Sequence, residues 1–505
     1  MQCQQSVRRE NSNPFDMNSE ISTRAINFNV SRRNFLWLTG GALLGSAWWA
    51  EGFGKAPESP IRACGPGSRY VPKIRAAFVR RQEEYGILWP GAIYDGEKAR
   101  ATYTQQLRAA EKELGLNVEL RPEPIYSLDA ADAWLADARA AKVDGVLLLL
   151  LDRQQHAWPA AAKAVESGLR TIIFAPVGTA FTTNTAPLAQ KQGALICSTS
   201  DFSEAAFGLK MLKAGCRLRE MRFVVLRGAE RKDTRLPFFD TQLRYLAAKQ
   251  FLDEYNALPV TPEVEAMAHT YLKSARKVVG ASREDVLNGI KSFVVARNIL
   301  EREEGDGITM DCLGALGKTK VSLPCIAWSK MLDQAIPAAC EADLRACVTH
   351  ALVQFLFDRP GFQQDPVPET SRQCLLGAHC SCPTRLAGFN RKPEPFSITH
   401  HHGNRDAVPR TVWRIGQKAT IVDVLLPGTS DNHRTVPKMV IGTGTVVENV
   451  GVPPAGGCVV SVMLKLDTKP DLLAYPGFHQ LFFYGNYKQQ LLAYCQLHGI
   501  EPLVA

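Results

Sequence analysis

The run Gly145-Val146-Leu147-Leu148-Leu149-Leu150-Leu151 decides the fold class. A strand this apolar must be covered on both faces, which a sheet with one face in water does not provide. It predicts an inner strand of a parallel sheet flanked by helices. Working outward, the apolar runs at residues 74–79, 118–120, 171–175, 194–197 and 222–226 read as further strands, with amphipathic helical patterns between most of them. The section from residue 231 to 360 reads as mostly helical, at 241–255, 262–279 and 282–303, followed by a short strand at 307–312. That pattern predicts a second α/β unit.

After Pro360 the texture changes to Gly- and Pro-rich turns between β-patterned stretches at residues 373–378, 411–413, 418–425, 438–447 and 458–466. The chain closes with an apolar run at 481–484, the turn Gly485-Asn486 and a helix from 487 to about 497. The expected fold is therefore α/β: two α/β/α domains with parallel sheets, followed by a mainly antiparallel β domain. The expected divisions are a leader at 1–50, α/β domains at 70–230 and 231–370, and a β-rich part at 371–505.

At 505 residues, 46% hydrophobic and 22% charged, the chain can bury a large core. Of the net charge of +9, the first 47 residues supply +2, because five Arg stand there against Glu10, Asp16 and Glu20. The remaining +7 is scattered singly rather than clustered with aromatics, so a nucleic-acid partner is not expected. Near the N-terminus, Ser31-Arg32-Arg33-Asn34-Phe35-Leu36 precedes a short apolar run ending at Trp49. Paired Arg32 and Arg33 before such a run fit a twin-arginine export signal, which implies the translocation machinery as a partner and a periplasmic or extracellular destination. An ordinary Arg pair before a buried helix is the plainer alternative. The 13 cysteines form no regular disulfide framework and mostly stand in apolar contexts, where they read as reduced core thiols.

Three residues carry the candidate chemistry. An apolar stripe runs through Leu344, Cys347, Val348, Ala351, Leu352, Phe355 and Leu356, and on a helix starting near Cys340 it would place Glu341 along the buried face with Asp343 turned away. Such a carboxylate calls for a cation or several donors. Asp365 follows 24 residues on, and His479 stands just before the terminal apolar run. Singly these read as a first-turn acid, a turn Asp before proline and a satisfied core histidine.

Together, Cys340-Glu341-Ala342-Asp343, the step to Asp365, and Phe478-His479-Gln480-Leu481-Phe482-Phe483-Tyr484-Gly485 before a helix resemble the metal-site segments of L-fucose isomerase-like sugar isomerases. The resemblance is best from about Ser322 onward. It implies a homo-oligomeric aldose-ketose isomerase acting through an enediol on a small sugar. Glu341, Asp365 and His479 would hold Mn²⁺ or another divalent ion such as Mg²⁺, and Glu341 and Asp365 would also serve as acid and base. The alternative function is an exported carbohydrate-binding protein that keeps the fold without turnover; an interaction protein with a structural site is a third.

In Thr399-His400-His401-His402-Gly403, at most His400 and His402 converge on one strand face, making them weak sugar-contact candidates beside a solvated-loop reading. His379-Cys380-Ser381-Cys382, with Cys374 upstream, lacks a second cysteine pair at structural-zinc spacing and reads as buried thiols.

Overall fold

The structure is a computed structural model that describes residues 64–83, 94–153, 156–401, 405–427, 436–451 and 458–505. Arg32, Arg33 and His402 lie outside the described residues. The first sheet contains β1 (Lys73–Val79), β2 (Asn117–Leu120), β3 (Gly145–Leu150), β4 (Thr171–Phe174) and β5 (Ala194–Cys197), ordered β2-β1-β3-β4-β5 and parallel throughout. The strand that decided the fold class is fully buried. Leu147, Leu149 and Leu151 pack with Leu107, Leu209 and Leu212 on one side, while Val146, Leu148 and Leu150 pack with Leu135 and Trp158 on the other. Period-two alternation thus feeds two separate cores from one apolar run.

The second sheet is built from β6 (Arg222–Leu226), β7 (Lys232–Arg235), β8 (Gln242–Leu246), β10 (Gly307–Met310) and β11 (Ala338–Ala339) in the order β11-β10-β6-β8-β7, whereas β9 (Val278–Val279) pairs elsewhere. Only β7 runs antiparallel to its neighbour. The strand at 222–226, read as closing the first section, therefore begins the second sheet. The predicted helix at 241–255 is instead β8 followed by a helix at Ala248–Ala257. Pairing of Phe223 with Leu243 and of Leu226 with Leu246 outweighs the local helical pattern.

The C-terminal part contains β12 (Phe362–Glu369), β13 (Cys374–His379), β14 (Phe396–His400), β15 (Ala407–Thr411), β16 (Lys418–Leu425), β17 (Lys438–Asn449), β18 (Val460–Leu466), β19 (Gln480–Tyr484) and β20 (Glu501–Val504). Six of these close in the order β16-β19-β12-β13-β18-β17 and back to β16, every pairing antiparallel. Closure removes the unpaired edges that an open sheet exposes. Phe362, Ile421, Val462, Leu464, Phe482 and Tyr484 belong to the core of this barrel. β20 adds in parallel to β17, and β14 pairs with β15 and with β9. The fold is α/β with parallel sheets and a mainly antiparallel β C-terminal domain. Among the described residues no helix is long and apolar enough to cross a membrane.

The helix Lys488–His498 returns the chain to the first sheet, where buried His498 contacts the Met211 carbonyl through Nε2 at 3.1 Å. Burial, reinforced by Arg170, depresses the imidazole pKa to about 3 against that hydrogen bond. The folded protein keeps His498 neutral, whereas the unfolded chain protonates it near pH 6.5. Its contribution is complete above that pH and is lost as pH falls toward 3, by up to about 1.4 kcal/mol per pH unit. The urea midpoint should therefore fall between pH 7 and pH 5, and His498→Gln should reduce that fall. An identical pH dependence in the variant would refute the assignment.

Candidate metal centre

Glu341 leaves the second sheet directly after β11, at the carboxyl end of the strands, where open α/β sheets form ligand clefts. The following helix begins only at Leu344, because Asp343 is its N-cap and accepts from Arg345 N at 2.7 Å and Ala346 N at 3.1 Å. Glu341 therefore precedes the helix rather than lying along its buried face. Its backbone, like that of Ala342, is left-handed, with φ of 62° and 52°. Two hydrogen bonds fix this turn: Cys340 N donates to Gln363 Oε1 at 2.9 Å, and Ala342 N donates to Met310 O at 2.9 Å.

The barrel supplies the opposite wall. β12 and β19 pair Phe362 with Phe482 and Gln364 with Gln480, so the next step of the ladder brings Asp365 beside His479. His479 is also left-handed, with φ of 58°. Its Nε2 lies 3.3 Å from Asp365 Oδ1 and 3.4 Å from Glu341 Oε2. The three residues singled out by spacing thus meet around one nitrogen. Asp365 Oδ1 and His479 Nε2 are both buried without an aligned hydrogen bond, so these separations are ion-pair contacts. Ligands at about 2.1 Å from a six-coordinate ion stand roughly 3 Å apart at neighbouring vertices, close to the two separations from His479 Nε2, although Asp365 falls outside the set of ligand atoms that all lie within 4.8 Å of one another.

Two participants were missed in the sequence. Asp343, expected to turn away, accepts from His479 Nδ1 at 2.8 Å. That bond leaves Nε2 to face an ion, as in carboxylate-histidine-metal arrangements. His379, at the end of β13, comes within 3.9 Å of Glu341 Oε1, and its ring meets that of His479 edge-on at 5.5 Å. Glu341, His379 and His479 can converge on a single ion. The Asp343 cap was legible, since an Asp directly before an apolar helical stripe is an N-cap signal; the approach of His379 depends on pairing between distant strands.

The electrostatics favour a cation. Contact with His479, working against burial and aided by His379, holds Glu341 below its ordinary range. Burial raises Asp365, and His479 only partly offsets this. At Asp343 burial acts upward too, but His479 and Arg345 outweigh it and hold the carboxyl low. His479 is disfavoured as a cation by burial, yet Asp343 and Glu341 hold it up to about 9. In the ion-free protein an imidazolium thus supplies the positive charge that the carboxylates require. Replacing Asp343 with Asn should preserve the helix cap but weaken divalent-ion binding about 10–100-fold, read by competition with a fluorescent chelator. Unchanged affinity would show that Asp343 does not orient His479.

A cleft of about 720 Å³ opens over the cluster, lined by Arg227, Arg235, Tyr245, Arg345, Phe478 and Leu426 among others. The Phe478 ring is 49% exposed beside His479. The histidine-rich segment is elsewhere: His400 Nε2 faces Asp285 at 3.4 Å, and His400 does not join the cluster.

No family model and no curated protein matches the chain. Similar solved structures include GanP, a glucose-galactose binding protein from Geobacillus stearothermophilus, at 14% identity over 48% of this chain and 78% of that one, with a TM-score of 0.18. A solute-binding protein from Burkholderia multivorans matches at 12% over 58% and 95% of the two chains, with a TM-score of 0.18. A periplasmic sugar-binding protein from Legionella pneumophila matches at 10% over 57% and 96%, with a TM-score of 0.16. GanP and the Legionella protein are described as sugar-binding proteins. The expected membership in the L-fucose isomerase-like family, and with it the expected aldose-ketose isomerase activity, is corrected, because no family model and no curated protein matches the chain. The physical reason is that a Glu, Asp and His at a given spacing specify ligands for an ion, which neither fixes a family nor requires turnover.

Proposed function

We propose that the chain is an exported carbohydrate-binding protein whose sugar ligand is held through a divalent ion, Mn²⁺ or Mg²⁺, bound by Glu341, Asp365 and His479. The observation that carries this reading is the convergence of buried Asp365 Oδ1 and His479 Nε2, neither in an aligned hydrogen bond, with Glu341. Oxygen donors with one imidazole suit a hard or borderline ion, and two carboxylates balance its charge. Bound there, the ion would supply a Lewis-acidic seat for two adjacent sugar hydroxyls. Phe478 offers an apolar face for the C–H side of the ring, while Arg227, Arg235 and Arg345 offer donors to the remaining hydroxyls. The cleft volume lies within the range of small-molecule sites. Export by the twin-arginine pathway rests on Arg32 and Arg33, and translocation of a folded protein would let the ion travel with it.

Titration calorimetry of the full chain with a panel of monosaccharides, before and after chelation, tests the reading. Sugar binding that requires Mn²⁺ or Mg²⁺ supports it. Binding that survives chelation unchanged removes the ion from recognition, and no heat with any sugar in the ion-loaded protein overturns the carbohydrate assignment.

A further inference from the structure

Behind the carboxylate-imidazole cluster lies a second group of ligand-type side chains with different chemistry. Cys325 opens the helix Cys325–Asp333, Cys380 follows β13, and His401 follows β14; all three are buried. One ligand atom from each lies within 4.8 Å of the others. Cys340 lies beside this group, in contact with Cys380 and with its sulfur 3.0 Å from Ser381 Oγ. Residues separated by as much as 76 positions in sequence thus deliver thiols and an imidazole to one point.

Cysteine in a core normally acts as a small apolar filler among aliphatic neighbours. Here the thiols contact one another and an imidazole, and S–H groups are weak donors and weak acceptors. Mutual hydrogen bonding is therefore a poor reason for assembling them, whereas ligation of a soft or borderline ion is a good one. Sulfur ligands at about 2.3 Å from a tetrahedral Zn²⁺ stand roughly 3.8 Å apart, within the spread observed.

We propose that Cys325, Cys380 and His401 hold a buried structural Zn²⁺, with the neighbouring Cys340 thiol moving in as fourth ligand when the ion binds. Four protein ligands close the coordination shell, as in structural rather than catalytic zinc sites. The site ties β13, β14, the Cys325–Asp333 helix and the turn after β11 together. Binding displaces the thiol protons, and the three thiolates carry the ion's charge. The two clusters adjoin in sequence: Glu341 follows Cys340, and His379, which approaches Glu341 at 3.9 Å, precedes Cys380.

The full chain, purified under reducing conditions and stripped with EDTA, should retain about one Zn²⁺ per chain. Reconstitution with Co²⁺ after removal of zinc in denaturant should give a thiolate-to-cobalt charge-transfer band and strong tetrahedral visible bands. Both should persist in Glu341→Gln, which touches only the oxygen-rich site, so failure of the proposed sugar-binding function leaves this result unaffected. Cys380→Ser should lose both; if it does not fold, the cobalt spectrum of the unsubstituted chain decides. Absence of zinc and of the charge-transfer band, or a disulfide joining Cys325 to Cys380 in the unreduced protein, would overturn the proposal.

Discussion

Replacing His479 with alanine is expected to lower Mn²⁺ affinity by more than the roughly 10–100-fold that loss of a supporting group such as Asp343 causes. The variant removes outright the imidazole whose Nε2 faces Asp365 and Glu341, together with the bond from Nδ1 to Asp343. Two outcomes follow. Calorimetric Mn²⁺ binding disappears at accessible concentrations, and any sugar binding that depends on the ion disappears with it. Circular dichroism should stay native, because His479 lies just outside β19 and contributes no ladder pairing. Retained Mn²⁺ affinity in this variant would move the ion away from the cluster.

The second large effect is on stability. Phe482 is fully buried in β19, between Ile421 of β16 and Phe362 of β12 in the closed barrel. Truncating such an aromatic leaves a cavity that the paired strands cannot collapse into, so Phe482→Ala should cost about 3–5 kcal/mol. The ring also explains Gly377 on β13: a Cβ there would stand 2.5 Å from the Phe482 ring and 2.9 Å from the Gln364 side chain. The measurement is the urea midpoint followed by circular dichroism, and an unchanged midpoint would contradict the packing. Because Asp365 and His479 directly follow the Gln364–Gln480 pair that ends this ladder, Mn²⁺ affinity should fall alongside stability.

Both effects depend on contacts that the sequence discloses unequally. The Leu147–Leu151 run announced a two-faced strand because complete burial is a local property of composition, and the two cores on either side of it follow from period two. Partner choice is not local. Nothing within residues 222–226 says that this strand leaves the first sheet to pair with β8 and β10, and the helical pattern at 241–255 gave no sign of β8. The spacing of Glu341, Asp365 and His479 pointed to residues that do converge, yet the reason given for Glu341 was mistaken. Its side chain is 38% exposed, and the more buried acid that calls for a partner is Asp343, at 11%. The stretch His379–Cys382 lacks a second cysteine pair at structural-zinc spacing and so reads as buried thiols, and only the barrel's closure brings His379 to the cluster.

The left-handed turns at Glu341, Ala342 and His479 have a further consequence. A non-glycine residue held at positive φ costs about 1–3 kcal/mol, so the surrounding bonds to Gln363, Met310 and Asp343 must keep these backbones in place before any ion arrives. A cage set in advance by its own main chain cannot widen freely. With the proposed ion bound there, it should discriminate by ionic radius, favouring ions with ligand distances near 2.1 Å over Ca²⁺, which asks for about 2.3–2.6 Å and more oxygen neighbours.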